Sequence, residues 1–349
     1  MTDDLILMAD GGGGERMMDL VRDEILARFA ASDGTGQLAR LADAAVLPAG
    51  AASEGQGEGL LAFTTDSYTV RPLEFPGGDI GRLAIAGTVN DLACVGARPV
   101  GLSLALIIEE GLERVVLGRV LDSAATAARE VGASVVCGDT KVVERGGADK
   151  LFINTAGVGH IAGGRALAAE AVRPGDRVLI SGTLADHGVA VMSRREGLRF
   201  ESAVASDAAP LWPLAEALLA ACPGLRVLKD PTRGGLAAAV NELAEAAGVG
   251  MRIEEVHVPV RPAVAGACAA LGLDPLNVAN EGKFVVVVAP EEAEAALAAM
   301  HGHPLGREAA EIGEVVPAPA RGPRVTLRTR IGGERVLEMP YGEDLPRIC

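Results

Sequence analysis

At 349 residues, the chain is too long for one small core and long enough for two ordinary domains. A formal net charge of −15, with no basic stretch to offset it, argues against nucleic acid or an anionic membrane as partner, because the chain's own field repels phosphates. Apolar residues make up 49%, yet only one Trp, two Tyr and six Phe are aromatic, so an aliphatic core on helices and sheets is expected.

The N-terminus "MTDDLILMADGGGG" is acidic with a four-residue apolar run, which argues against a secretory signal. Runs such as "LSLALII" and "FVVVVA" fall far short of the ~20 residues of a membrane span. Five cysteines, at 94, 137, 222, 268 and 349, form no CxxC pair and no disulfide framework, so a reduced, cytoplasmic protein is expected.

In chain order, residues 1–34 carry four glycines running into an amphipathic helix. That stretch suits an anion at a helix start or a plain N-terminal arm equally well. Residues 60–70, "LLAFTTDSYTV", predict a strand, and "GRLAIAGTVNDLACVGA" a helix of small residues. A buried strand follows in "GLSLALIIEE", then a helix over 112–131 and strands in "SVVCGD" and "KLFINTAGVGHI". Pro-Gly-Asp in "VRPGDRVLISG" sets a tight turn before a new strand and puts the domain boundary just ahead of 172. The second half predicts helices near 184–196, 207–221 and 233–248, with strands at 251–256, 283–289 and 309–315. Two α+β domains, 35–171 and 172–339, fit this order, each a sheet covered by helices. Residues 340–349, "PYGEDLPRIC", hold prolines and no periodicity, as in an extended mobile tail.

Candidate chemistry lies in carboxylates at turns and strand ends: Asp43, Asp66, Asp91, Asp139 and Asp230. Singly, each is most simply a helix or turn cap. As a set they suit Mg²⁺, a hard cation held by a few carboxylates and nucleotide phosphates. "GDTKVVERGG" adds Lys141 two residues after Asp139, and "DPTRGGLAAAVNEL" sets Thr232 and Arg233 beside glycines that open a helix. Neither these nor the N-terminal glycines match a P-loop or a dinucleotide fingerprint. Glu281, in a turn before an apolar strand, could act as a general base if buried, or be a solvated turn residue. His187 has no second His or Cys nearby and is structural unless the fold brings it to a cleft. Cys94 and Cys137 sit in apolar runs as expected of core thiols.

Cys349 differs, because it ends the chain. The ten-residue tail reaches at most ~35 Å, enough to enter a cleft and swing out again. Its free thiol is a few per cent thiolate at neutral pH, with Arg347 favouring and the adjacent carboxylate opposing ionisation.

Taken together, "GGGG", "TTDSYTVRPLEFPGGDIGRLAIAGTVNDLACVGA", "VCGDTKVVERG", "SGTLADHG", "DPTRGGL", "NVANEGK" and the terminal "PRIC" resemble the HypE family of hydrogenase-maturation carbamoyl dehydratases over nearly the whole chain. The resemblance implies a two-domain PurM-like (aminoimidazole ribonucleotide synthetase-like) α+β fold, dimerised as a homodimer through the 35–171 domains. It implies ATP with Mg²⁺ in a cleft, with Asp43, Asp66, Asp91 and Asp230 around the metal and Asp66, Asp91, Asp139, Thr140 and Lys141 around ATP. It implies that the carbamoyltransferase HypF loads a carboxamide onto Cys349, that ATP drives its dehydration to an S-cyanide, and that a HypC–HypD complex receives the cyanide for [NiFe]-hydrogenase. Glu281 would be the base and Lys141 would balance phosphate charge. Asp10 stands where the family often has His, outside the expected site. Two other readings are a selenophosphate synthetase-like or small-molecule kinase relative, and a non-catalytic thiol carrier.

Overall fold

The structure, a computed structural model, describes all residues except 1–5, 12–13, 30–34, 50–58, 165, 199–203, 323 and 342–346. Its N-terminal half opens with helices Gly14–Leu20 (α1) and Ala27–Phe29 (α2), joined by a π-helical stretch. Strands follow at Ala45–Pro48 (β1), Leu60–Tyr68 (β2), Glu74–Phe75 (β3) and Gly78–Asp79 (β4). Then come Ile80–Cys94 (α3), Arg98–Glu109 (β5), Arg114–Glu130 (α4), Val135–Val143 (β6) and Leu151–Ile161 (β7). The sheet runs β1-β2-β7-β5-β6, with β5 and β6 parallel and the other pairs antiparallel.

Burial alternates along β7, as expected of a sheet packed on one face. That face is covered by α3, whose small residues let it lie close; Asp79 caps it by accepting from the N–H groups of Gly81 and Arg82 at 2.7 and 3.1 Å. Leu83, Ile85 and Leu92 of α3 are fully buried, worth about 1.5–3 kcal/mol each. The opposite face leaves Phe63, Val100, Ile107 and Val158 exposed, and β6 forms an edge with exposed Val135, Val136 and Val142. Cys137 lies on that edge and is exposed, so it is no core thiol.

The second half places Arg177–Ile180 (β8), Asp186–Arg195 (α5), Trp212–Ala221 (α6), Leu225–Lys229 (β9), Gly235–Ala247 (α7), Gly250–Glu254 (β10) and Pro262–Leu271 (α8). It ends with Val285–Val288 (β11), Ala293–His301 (α9), Ala310–Val316 (β12), Val325–Arg328 (β13) and Glu334–Val336 (β14). The sheet order is β14-β13-β10-β12-β8-β11-β9. Strand β11 is four valines, all buried, at the middle of its layers. The helix expected from 207 starts only at Trp212, because Ala209 N–H donates to the carbonyl of Glu281 and holds the preceding segment as a loop. Apolar clusters draw on both halves: one joins Ile85 and Val89 of α3 to Leu214 of α6 and Val286 of β11. The two halves therefore meet along α3, and the polar site lies on that seam.

Candidate active site

Asp91 sits in the last turn of α3 and Asp66 on β2, while Asp230 directly follows β9. The Thr64 hydroxyl lies 2.8 Å from Asp91 Oδ2 and 2.9 Å from the carbonyl of Asp43, tying the segment before β1 to α3. Asp43, Cys94 and Asp230 bring their ligand atoms within 4.8 Å of one another. Lys229 is ion-paired with Asp43 and, at 3.2 Å, with Glu242. Cys94 is thus buried as expected, yet it borders the carboxylates, its thiol 3.9 Å from Asp230 Oδ1.

Crowding like charges away from water raises the carboxyls. Burial is the largest cause for Asp91, followed by the charges of Asp230, Asp66 and Asp43, and together they lift it well above the usual range. Asp230 is pushed up to about 7 by burial and Asp43, with Lys229 opposing. Burial also raises Asp66, against the pull of Arg233. Burial works against the Lys229 ammonium, but Asp43, Glu242 and Asp230 together hold its pKa well above the usual lysine range.

Glu281 is only 2% exposed, and its Oε1 has no hydrogen-bond partner among the described residues. Burial, then Asp230, Asp66 and Asp207, raise its pKa well above the carboxylate range. A buried carboxyl oxygen without a partner is unfavourable, and groups with such raised pKa values cluster at functional sites. Backbone contacts fix it: Glu281 N–H donates to Asp207 Oδ1 at 3.1 Å, and Asn90 of α3 donates to its carbonyl at 3.4 Å. Asn280 beside it accepts from Ala185 N–H at 2.8 Å and donates to the carbonyl of Pro231 at 3.1 Å. Gly282 is required next, since a Cβ there would stand 1.9 Å from the carbonyl oxygen of Asp207.

The "DPTRGG" turn enters α7 through Gly234 and Gly235, both at positive φ, and a Cβ on Gly235 would stand 2.5 Å from the carbonyl oxygen of Leu276. That close approach carries Arg233 into the site, where it makes no hydrogen bond or ion pair with the described residues. Its acidic neighbours are Cys349, Asp66, Glu281 and Tyr68, and Cys349 contributes most to raising its pKa. The chain terminus is therefore docked beside the cluster: Thr69 N–H donates to the Cys349 carbonyl oxygen at 3.0 Å, and Ile348 is buried. Residues 342–346 of the expected mobile tail lie outside the described residues.

The sequence-predicted residues thus divide. Asp43, Asp66, Asp91, Asp230, Glu281 and Cys349 come together. Asp139, Thr140 and Lys141 do not: they sit exposed on β6, with Lys141 paired to Asp139 at 2.8 Å and its charge already answered. Within one subunit they lie on the exposed edge strand, apart from Asp66 and Asp91. Asp10 is paired with Arg16 at 2.6 Å, away from any phosphate role. Arg233 was visible in the sequence only as a neighbour of glycines, and nothing local marked His187 as a contact of the tail.

The donor set is chemically suited to Mg²⁺: carboxylate oxygens, electrostatically frustrated among themselves, are what a hard divalent cation relieves. Fold and site together define an AIR synthase related protein; the N-terminal domain of that family matches residues 41–161 and its C-terminal domain residues 173–325. The chain is 48% identical to the carbamoyl dehydratase HypE of Rhodobacter capsulatus, over 100% of this chain and 99% of that relative. A crystal structure of HypE in complex with ATP superposes with a TM-score of 0.80 at 46% identity, covering 99% of this chain and 100% of that one. That of a HypE–HypF complex gives 0.81 at 44% identity, covering 90% and 100%. The chain belongs to the carbamoyl dehydratase HypE family. No helix among the described residues is long and apolar enough to cross a membrane.

Proposed function

We infer that this chain is an ATP-dependent carbamoyl dehydratase that converts an S-carboxamide on Cys349 into an S-cyanide. The observation that carries the reading is Arg233, which has the acidic groups of both Cys349 and Glu281 as neighbours and so joins carrier and base in one cleft. Amide oxygen is a poor leaving group; phosphorylation by ATP turns it into phosphate, with ADP released. Loss of the two N–H protons and of the phosphate then gives S–C≡N. Glu281, in its ionised form, takes a proton from the nitrogen on its unpaired oxygen. Arg233 faces the charge of the transferring phosphoryl group, where preorganised cations contribute most to such reactions. Asp43, Asp66, Asp91 and Asp230 would hold Mg²⁺, which supplies charge neutralisation between phosphate oxygens.

The protein works as a homodimer in this reading. The open apolar face of the N-terminal sheet and the unpaired edge β6 are surfaces that a monomer rarely leaves bare. Pairing there would give Asp139, Thr140 and Lys141 a nucleotide to contact in the assembled cleft. HypF would load the tail and HypC–HypD would receive the cyanide, in the cytoplasm. Intact-protein mass spectrometry tests the chemistry: incubation with HypF, carbamoyl phosphate and ATP, then further ATP and Mg²⁺. The expected result is gain of one carboxamide followed by loss of one water, both on the C-terminal peptide. A carboxamide that persists would leave a thiol carrier without dehydratase activity.

A further inference from the structure

The last three residues run against the end of β2 in the opposite direction, so that Thr69 meets residue 349 and Arg71 meets residue 347. Each of these three carbonyls finds a donor. The oxygen of Arg347 accepts from Arg71 N–H at 3.3 Å and from Arg195 Nη2 at 2.7 Å. That of Ile348 accepts from His187 at 2.9 Å, and that of Cys349 from the Thr69 N–H and hydroxyl at 3.0 and 3.3 Å. The side chains are seated as well: Ile348 is 2% exposed, and Arg347 reaches Asp149 at 2.8 Å with its guanidinium 5.7 Å from the ring centroid of Phe152. Arg195 also donates to the carbonyl of Arg71 at 2.9 and 2.7 Å, so one guanidinium clamps strand and tail.

His187 is fully buried in the first turn of α5, edge-on to Phe75 with ring centroids 5.4 Å apart. A carbonyl oxygen can only accept, so the ring's Nε2 carries the proton. Burial lowers its pKa and keeps the imidazole neutral, which leaves Nδ1 as acceptor. The Ser206 hydroxyl, 2.8 Å away, fills that role as donor while itself accepting from Ala208 N–H at 3.0 Å. One proton arrangement satisfies the whole chain from Ala208 to the tail.

We propose that His187 is a positioning residue for the terminal cysteine: its Nε2–H on the Ile348 carbonyl, with Arg195 on the Arg347 carbonyl, fixes where the Cys349 sulfur stands relative to Glu281 and Arg233. The inference rests on the dehydratase reading for its purpose, though not for its geometry. The backbone hydrogen bonds, the Arg347–Asp149 ion pair and the Ile348 seat must give way together when the carrier departs.

The test uses the full-length protein with Mg²⁺ and a non-hydrolysable ATP analogue, and follows alkylation of Cys349 by N-ethylmaleimide on the C-terminal peptide. His187→Phe keeps the ring packing and removes the donor; His187→Gln restores a donor; Arg195→Ala removes the guanidinium from the Arg71 and Arg347 carbonyls at a half-buried position. Loss of one such bond should raise the alkylation rate about tenfold in His187→Phe and Arg195→Ala, with His187→Gln returning towards wild type. Dehydration of the carbamoylated protein should slow in parallel at unchanged KM for ATP. Wild-type alkylation in both folded variants, or His187→Gln as impaired as His187→Phe, would overturn the proposal. Cys349 protection without any dehydration would keep the grip and remove the dehydratase reading; dehydration indifferent to all three variants would do the reverse.

Discussion

In the N-terminal sheet, strand β2 and the edge strand β6 each carry an aspartate, and the two locations treat charge in opposite ways. Beside β2, Asp66, Asp91, Asp230 and Glu281 are pressed together at the seam with the second half, and burial raises the pKa of each. On β6, Asp139 and Lys141 are 62% and 67% exposed and neutralise each other, so the Asp139 carboxyl is held below its usual range by the lysine. An exposed pair of that kind is screened by water and adds little to stability. Ionising the buried group is unfavourable, and a bound cation or a transferred proton relieves it. The difference separates carboxyls that repel one another within one subunit from a pair whose charges already answer each other.

The sharpest break of that comparison is Glu281→Gln. It keeps shape and removes the base, so the dehydration rate should fall by about 10²–10⁴ while loading of the carboxamide onto Cys349 continues. Single-turnover mass spectrometry reads both steps, and dehydration at the wild-type rate would remove Glu281 from the mechanism. Arg233→Ala should cost about 10²–10³ in the same assay, because an uncommitted guanidinium beside Cys349 is lost. A variant that docks its tail poorly but dehydrates at the wild-type rate once docked would limit Arg233 to binding.

Much of the buried site was legible because carboxylates stand next to small residues, Asp43 and Asp230 beside strands and Asp91 among the small residues of α3. Strand and helix order was legible from periodicity. The contacts that join distant segments were not. His187 meets the carbonyl of Ile348 across 161 positions, and no local pattern records that. Likewise, residues 207–211 look helical in composition but are held as loop by the Glu281 segment. Cys137 looked like core because its neighbours are valines; it is exposed because β6 has only one strand partner. Exposure of a strand edge is a property of topology, and periodicity cannot supply it.

Lys141→Ala sharpens the other side of the comparison. If pairing of two subunits brings β6 to a nucleotide, removal of the ammonium should slow dehydration about tenfold, the worth of one charge-assisted contact. The loss should disappear in a variant with Val136→Lys, provided sedimentation shows that it has become monomeric. An effect as large as that of Arg233→Ala would erase the distinction between the two groups. No effect in a verified dimer would leave Lys141 as a surface ion pair.

The smallest effect is on stability, and its sign follows from the raised carboxyls. Asp230 has a folded pKa of about 7, against the ordinary carboxylate value of 3.8 for an unfolded chain. Between these values the native state binds more protons than the unfolded one, so stability falls as pH rises through the folded pKa. Asp91, raised in the same direction, adds to the trend. Metal-free protein should therefore lose melting temperature between pH 5 and pH 8, by roughly 2–4 °C for each kcal/mol withdrawn. Mg²⁺ should restore most of it at pH 8 and little at pH 5, because protons and the cation compete for the same oxygens. Asp230→Asn should flatten the metal-free profile and weaken the Mg²⁺ response together. A metal-free profile that rises with pH, or a Mg²⁺ effect equal at both ends, would mean that these carboxylates are not the frustrated set their burial describes.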